Sequence, residues 1–155
     1  TIELKGENIF KGYWGMEEKT KESFKDDGFF ITGDLAKKDE NGYFTIVGRD
    51  KDMIISGGLN VYPKEIEDVI NELPNITESA VFGVQHDDFG EAVVAAVVTT
   101  DDKNDGSQIL DYTKDKIAKY KQPKKIIFMS NLPRNSMGKV QKNKLRENNK
   151  SLFKS

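Results

Sequence analysis

The stretch from Gly48 to Glu67 constrains the fold more than any other part of the chain, because strand, turn and helix signals follow one another there without a gap. Arg49-Asp50-Lys51-Asp52 is a charged cluster between two apolar runs. After it, Met53-Ile54-Ile55 and Leu59-Asn60-Val61-Tyr62 are short strand segments, and Gly57-Gly58 between them is the turn of a tight hairpin. Pro63 then presets φ for a first helical turn, where its missing amide proton costs nothing. Ile66, Val69, Ile70 and Leu73 recur at spacings of three and four, which predicts a helix from Pro63 to about Leu73 with one apolar stripe. Glu65, Glu67 and Asp68 suit its positive end and Pro74 stops it. The order is strand, hinge, hairpin, helix.

The flanks extend the same mixture. Thr1 to Tyr13 reads as strand or extended loop, Met16 to Phe24 as a short polar helix, and Asn41-Gly42 as the turn between a strand running from Phe29 to Asp34 into Leu35-Ala36-Lys37-Lys38 and its return over Tyr43 to Gly48. Ser79 to Val84 and Ala92 to Thr100 are apolar and β-branched, the second long enough for a central strand. Asp101 to Gly106 reads as a polar loop and Ser107 to about Tyr120 as a helix ended by Pro123. Lys125 to Met129 is a strand, Asn131 to Gly138 a loop, and Val140 to about Asn148 a basic helix. The expected architecture is α+β: a two-stranded hairpin and a three-stranded sheet covered by helices, preceded by an antiparallel β segment.

Composition removes several function classes. No apolar run approaches the ~20 residues that a spanning helix needs, so no membrane span is expected. Without cysteine there is neither a disulfide scaffold nor thiolate chemistry, which fits a reducing, cytoplasmic setting. The net charge of −2 hides an asymmetry: Lys114 to Lys150 holds 12 basic residues against two acidic ones, while the chain before it holds 11 basic and 24 acidic. That basic section is either a solvated lysine face or a surface for a polyanion such as a nucleotide, coenzyme A or RNA. It lacks interleaved aromatics for base stacking, so a phosphorylated small molecule is favoured and no nucleic acid is expected.

Several residues carry a chemical and a bland reading side by side. An ionised Asp34 after Thr32-Gly33 has acceptors for both hydroxyls of a ribose, and Gly33 lets a ligand approach the backbone; the bland reading is a strand-end cap. Arg49 offers a rigid donor fork, or else a salt bridge to a neighbouring Asp. Lys51 by itself is a surface lysine. Gly57-Gly58 is a turn, and its lack of side chains also leaves room for a narrow ligand. Leu132-Pro133-Arg134-Asn135-Ser136-Met137-Gly138-Lys139 is not a phosphate-binding P-loop, because Pro133 stands where the first Gly would be and neither Ser nor Thr follows Lys139. His86, the only His, reads as a structural loop residue without a second His for a metal.

Taken together, Thr32-Gly33-Asp34, the Arg49 to Pro63 run and Pro133-x-x-x-x-Gly138-Lys139 resemble, in order, three motifs of the adenylate-forming (AMP-binding) superfamily. The Asn8 to Trp14 opening and the Ile54 to Pro63 run look most like malonyl-CoA and fatty acyl-CoA synthetases. The resemblance implies that Asp34 and Arg49 bind the ribose of ATP and of the acyl-adenylate. Lys51 would be a hinge, and Gly57-Gly58 would line the tunnel for the pantetheine arm of coenzyme A. Lys139 would reach the carboxylate and phosphate oxygens during adenylation. Tyr120-Lys121-Gln122-Pro123-Lys124 resembles the family's stretch near the coenzyme A nucleotide, with Tyr120, Lys121 and Lys124 as candidates. Gln122 stands where an Arg is frequent. The family reading makes residues 1–50 the end of a large N-terminal domain and 51–155 a small C-terminal domain. The chain would be the C-terminal part of an acyl-CoA synthetase that uses ATP, Mg2+ and coenzyme A on a small-molecule carboxylate, a fatty acid or malonate. Its phosphate loop, metal-binding acid and acyl pocket would lie upstream of Thr1, so this fragment alone is expected to be inactive and to need that N-terminal domain as its partner. An adenylation domain that loads a carrier protein, and a non-catalytic basic binding module, are the alternatives.

Overall fold

A computed structural model describes residues 1–101 and 105–154, so residues 102–104 of the expected polar loop lie outside the described residues. The chain divides into two compact units, Thr1–Lys51 and the remainder from Asp52 onward.

In the first unit, β1 (Glu3–Leu4) pairs antiparallel with β2 (Phe30–Ile31), and α1 (Glu17–Ser23) lies between them in sequence. Phe10 packs against Tyr13, Phe24 and Phe30 with ring centroids 5.0 to 5.6 Å apart. Strands β3 (Asp34–Lys38) and β4 (Phe44–Arg49) form the expected hairpin. The Asp39 carboxylate accepts the amides of Asn41 and Tyr43, and Gly42 takes the left-handed conformation at φ +88°. Among the described residues no side chain of this unit is fully buried, while Trp14, Tyr43, Phe44 and Ile46 are exposed. A 3-10 turn at Asp50–Asp52 follows β4.

The second unit has a true core. Strands β5 (Ile54–Ser56) and β6 (Leu59–Val61) turn on Gly57 and Gly58, at φ +59° and +78°, as the paired glycines predict. Helix α2 (Pro63–Ile70) follows. Strands β7 (Ile76–His86) and β8 (Gly90–Thr99) make a long antiparallel hairpin, and β9 (Lys125–Phe128) runs parallel to β8 along Val94–Val97. Helix α3 (Ser107–Lys114) lies in the β8–β9 crossover, and α4 (Lys142–Asn148) ends the unit. The hairpin and the three-stranded set are joined at Ser56 opposite Gly90, so the sheet has five strands, β6-β5-β8-β7 with β9 also on β8.

Alternation along the strands gives the sheet two apolar faces. Val81, Val93, Ala95 and Val97 meet Ile66 and Ile70 of α2 and Ile109 of α3; Ala80, Phe82, Val94 and Ala96 meet Leu132 and Leu145. Helices therefore cover both faces of the α+β sheet. Among the described residues no helix is long and apolar enough to cross a membrane.

Of the differences from expectation, four have a local reason. Helix α2 stops at Ile70 because its last amides tighten onto carbonyls three residues back, Leu73 onto Ile70 at 3.2 Å, and Pro74 disfavours helix at the residue before it. Helix α3 stops at Lys114, since Ile117 turns into the core and Ala118 is extended; Lys119–Lys121 is a separate 3-10 turn. Helix α4 begins at Lys142, because Val140 is held opposite Arg134. His86 is not in a loop: it is the last residue of β7, paired with Gly90, and its Nδ1 accepts the Asp88 amide at 3.2 Å.

Candidate functional site

The β3–β4 hairpin makes Asp34 and Arg49 cross-strand partners. Arg49 Nε lies 2.6 Å from Asp34 Oδ1, and an Arg49 terminal nitrogen donates to the Thr32 carbonyl at 3.4 Å. The partner of Arg49 is thus neither adjacent Asp. The Thr32 hydroxyl accepts the Asp34 amide at 3.0 Å and donates to the Ile2 carbonyl at 2.8 Å, which ties the motif to the start of the chain. Gly33 sits at φ +72°, and a Cβ built there would meet nothing within 4 Å. One carboxylate oxygen is held by arginine and the other retains acceptor capacity for hydroxyls, beside an open strip of backbone.

Lys139 stands at the end of a closed turn. The Asn135 amide donates to the Lys139 carbonyl at 3.0 Å, and the Asn135 side-chain oxygen accepts the Met137 and Lys139 amides at 3.0 and 2.9 Å. Gly138, at φ +77°, lets the chain turn back. The Lys139 ammonium is exposed, with no protein partner among the described residues.

The glycine bend has a neighbour that sequence reasoning missed. Gly57 donates its amide to the Phe89 carbonyl at 2.8 Å, so the bend is fastened to the β7–β8 turn. The Lys124 ammonium lies 5.3 Å above the Phe89 ring, and the Lys124 amide donates to the Val93 carbonyl at 2.7 Å. Lys124, Phe89 and the bend are therefore one surface. Ile55 and Leu59, which flank the bend, are exposed, as is Tyr120. A Cβ at either glycine would meet nothing within 4 Å. Glu91 also escaped notice: its carboxylate accepts the Ile55 amide at 2.8 Å and lies where a side chain on Gly83 would stand.

Lys121 is committed elsewhere. Its ammonium takes both oxygens of Glu65 on α2 at 2.7 and 2.8 Å, with the lysine side chain only 15% exposed. The Glu65 hydrogen bond raises the Lys121 pKa, against the opposing effect of burial. Gln122 donates to the Ile117 carbonyl at 3.2 Å and so caps the turn after α3. Lys51 is exposed in the 3-10 turn, and Asp52 next to it is held by Arg146 of α4 at 3.6 Å. Among the described residues no group of three or more His, Asp or Glu could hold a metal ion. The Mg2+ expected with ATP thus has no ligand set among them.

Residues 65–139 match the AMP-binding enzyme C-terminal domain. The chain is 44% identical over 146 residues to the long-chain-fatty-acid–CoA ligase FadD13 of Mycobacterium tuberculosis, covering 94% of this chain and 29% of that protein. ATP-bound MatB from Rhodopseudomonas palustris is similar at 58% identity with a TM-score of 0.88, over 98% of this chain and 30% of that one. Apo MatB from the same organism is 59% identical over the same share, with a TM-score of 0.71. The chain spans less than a third of the length of these relatives. With the C-terminal-domain match running from within α2 to Lys139, and relatives alike over nearly all of its length, the chain belongs to the adenylate-forming, AMP-binding family.

Proposed function

We propose that this chain is part of an AMP-forming acyl-CoA synthetase, an ATP-dependent acid–thiol ligase acting on a fatty acid or malonate. The Asp34–Arg49 pair carries the reading, because a carboxylate oriented by a guanidinium beside an open glycine suits the two hydroxyls of a nucleotide ribose. In the first half-reaction the substrate carboxylate attacks the α-phosphorus of ATP, giving acyl-adenylate and pyrophosphate. Lys139 would answer the negative charge that builds on the oxygens around that phosphorus. In the second half the thiol of coenzyme A attacks the acyl carbonyl and AMP leaves. The Gly57–Gly58 bend would line the path of the pantetheine arm, with Phe89 beside it and Lys124 near the nucleotide.

Use of Lys139 in one half and the bend in the other calls for a segment with two arrangements, and Lys51 is the proposed hinge. The division of the chain at Lys51/Asp52 supports this. The exposed Trp14, Tyr43, Phe44 and Ile46 support a first unit whose apolar surface belongs against further protein, as the end of a larger domain would.

The test uses the full-length enzyme. Lys139→Ala is expected to abolish ATP–pyrophosphate exchange while sparing thioester formation from supplied acyl-adenylate, and a bulky residue at Gly58 to do the reverse. Equal losses in both half-reactions from either change would overturn the proposal. Relatives named as CoA ligases support free coenzyme A over a carrier protein as acceptor, which a side-by-side comparison of the two acceptors checks.

A further inference from the structure

If Lys139 serves the first half-reaction, something must fix where it stands, because its side chain has no partner among the described residues and its four-carbon stem is flexible. The turn around it is closed at the base. Arg134 pairs with Val140 as an antiparallel bridge, the Gln141 amide donates to the Pro133 carbonyl at 2.8 Å, and Leu132 and Val140 pack onto the sheet. The tip has a different anchor. One terminal nitrogen of Arg134 donates to the Gly138 carbonyl, the peptide unit that leads into Lys139, at 2.6 Å. The other pairs with the Glu78 carboxylate on β7. One planar fork thus clamps the peptide before Lys139 to a strand of the core, a task that requires two donors at a set angle.

We propose that Arg134, anchored by Glu78, is a positioning residue for adenylation: it holds the turn so that the Lys139 ammonium is delivered in a preorganised place. This rests on the reading of Lys139 given above. The alternative use of Arg134, a direct contact to phosphate oxygens, makes different demands. A direct contact needs the positive charge but not Glu78, whereas positioning needs the fork and its anchor.

The experiment compares Arg134→Met, Arg134→Lys, Glu78→Gln, the Arg134→Met/Glu78→Gln double variant and Lys139→Ala in the full-length enzyme. It measures ATP–pyrophosphate exchange, thioester formation from supplied acyl-adenylate, and a thermal melt of each variant. Misplacement of a reacting group by about 1 Å can cost about a hundredfold. We therefore expect kcat for exchange to fall roughly ten- to a hundredfold in Arg134→Met and in Glu78→Gln. The KM for ATP and the thioester rate should stay within about twofold. Arg134→Lys should fall nearly as far, since one ammonium cannot span both partners, and the double variant should be no worse than the poorer single one by more than about twofold. Full exchange in Glu78→Gln together with a loss in Arg134→Met, or retained exchange in Arg134→Lys, would overturn positioning in favour of direct contact. A parallel fall of both half-reactions, tracking the melts, would overturn it in favour of a purely structural role. If Lys139→Ala abolishes exchange but the Arg134 and Glu78 variants keep it, only the positioning role falls. If Lys139→Ala keeps exchange, the reading of Lys139 falls and positioning falls with it.

Discussion

Lys121 and Lys124 look alike in the sequence, yet their surroundings separate them. Lys124 is exposed above Phe89 at the glycine bend, whereas Lys121 is held by Glu65. The raised pKa of Lys121 means that its contribution to stability is fully present below the ordinary lysine value of 10.5 and is lost as pH rises through the folded-state value. Glu65→Gln should therefore lower the melting temperature at pH 7, by the equivalent of about 1 kcal/mol, and the gap to wild type should close in strongly alkaline buffer. A gap independent of pH would mean that the pair is not its source. Glu67 is a second such residue: its Oε1 accepts the Val81 amide at 2.7 Å and the Lys142 ammonium at 2.6 Å, with side chains only 13% and 18% exposed. Glu67→Ala leaves a strand amide without its acceptor and should cost about 1–3 kcal/mol in a urea melt. Asp68→Ala, which removes only an exposed pair with Lys64, should stay within about 0.5 kcal/mol.

At the scale of elements, the β5–β6 hairpin was legible because two adjacent glycines, free to take positive φ without a Cβ clash, stand between two strand-forming runs. A Cβ at Gly57 meets no atom within 4 Å, so the cost of a side chain there is one of backbone conformation alone. Gly57→Val should destabilise by about 1–2 kcal/mol, the penalty of the left-handed region for an L-residue. Gly57→Asn should cost clearly less, because asparagine visits that region more readily. Thermal melts of the two decide it, and equal losses would point to a packing effect. The ends of α2 and α3 were less legible. Tyr112 and Lys116 reach from α3 and the turn after it to Glu72, beyond α2. Lys116 first, then Tyr112, lowers the Glu72 pKa, so this link contributes above the ordinary carboxylate value of 4.5 and is lost as pH falls. Its partners are some forty residues apart, a distance that no local pattern spans.

For the whole molecule, the core belongs to the second unit, so we expect a chain cut at the exposed Lys51 to leave residues 52–154 folded, with a single cooperative melt by far-UV circular dichroism. The first 51 residues by themselves should show no cooperative melt, since none of their described side chains is fully buried. A cooperative transition from 1–51, or none from 52–154, would contradict this division. The amino-acid sequence by itself determined the α+β class, the hairpins at Asn41-Gly42 and Gly57-Gly58, the helix behind Pro63 and the order of the family motifs, because turn chemistry and apolar period act over a few residues. Only the tertiary structure decided that Asp34 and Arg49 are one pair, that Lys121 is spent on Glu65, that Phe89 joins Lys124 to the glycine bend, and that Arg134 clamps the turn before Lys139. Those pairings depend on strand register and on helix placement across the sheet, which the packing of buried side chains fixes and local spacing does not encode.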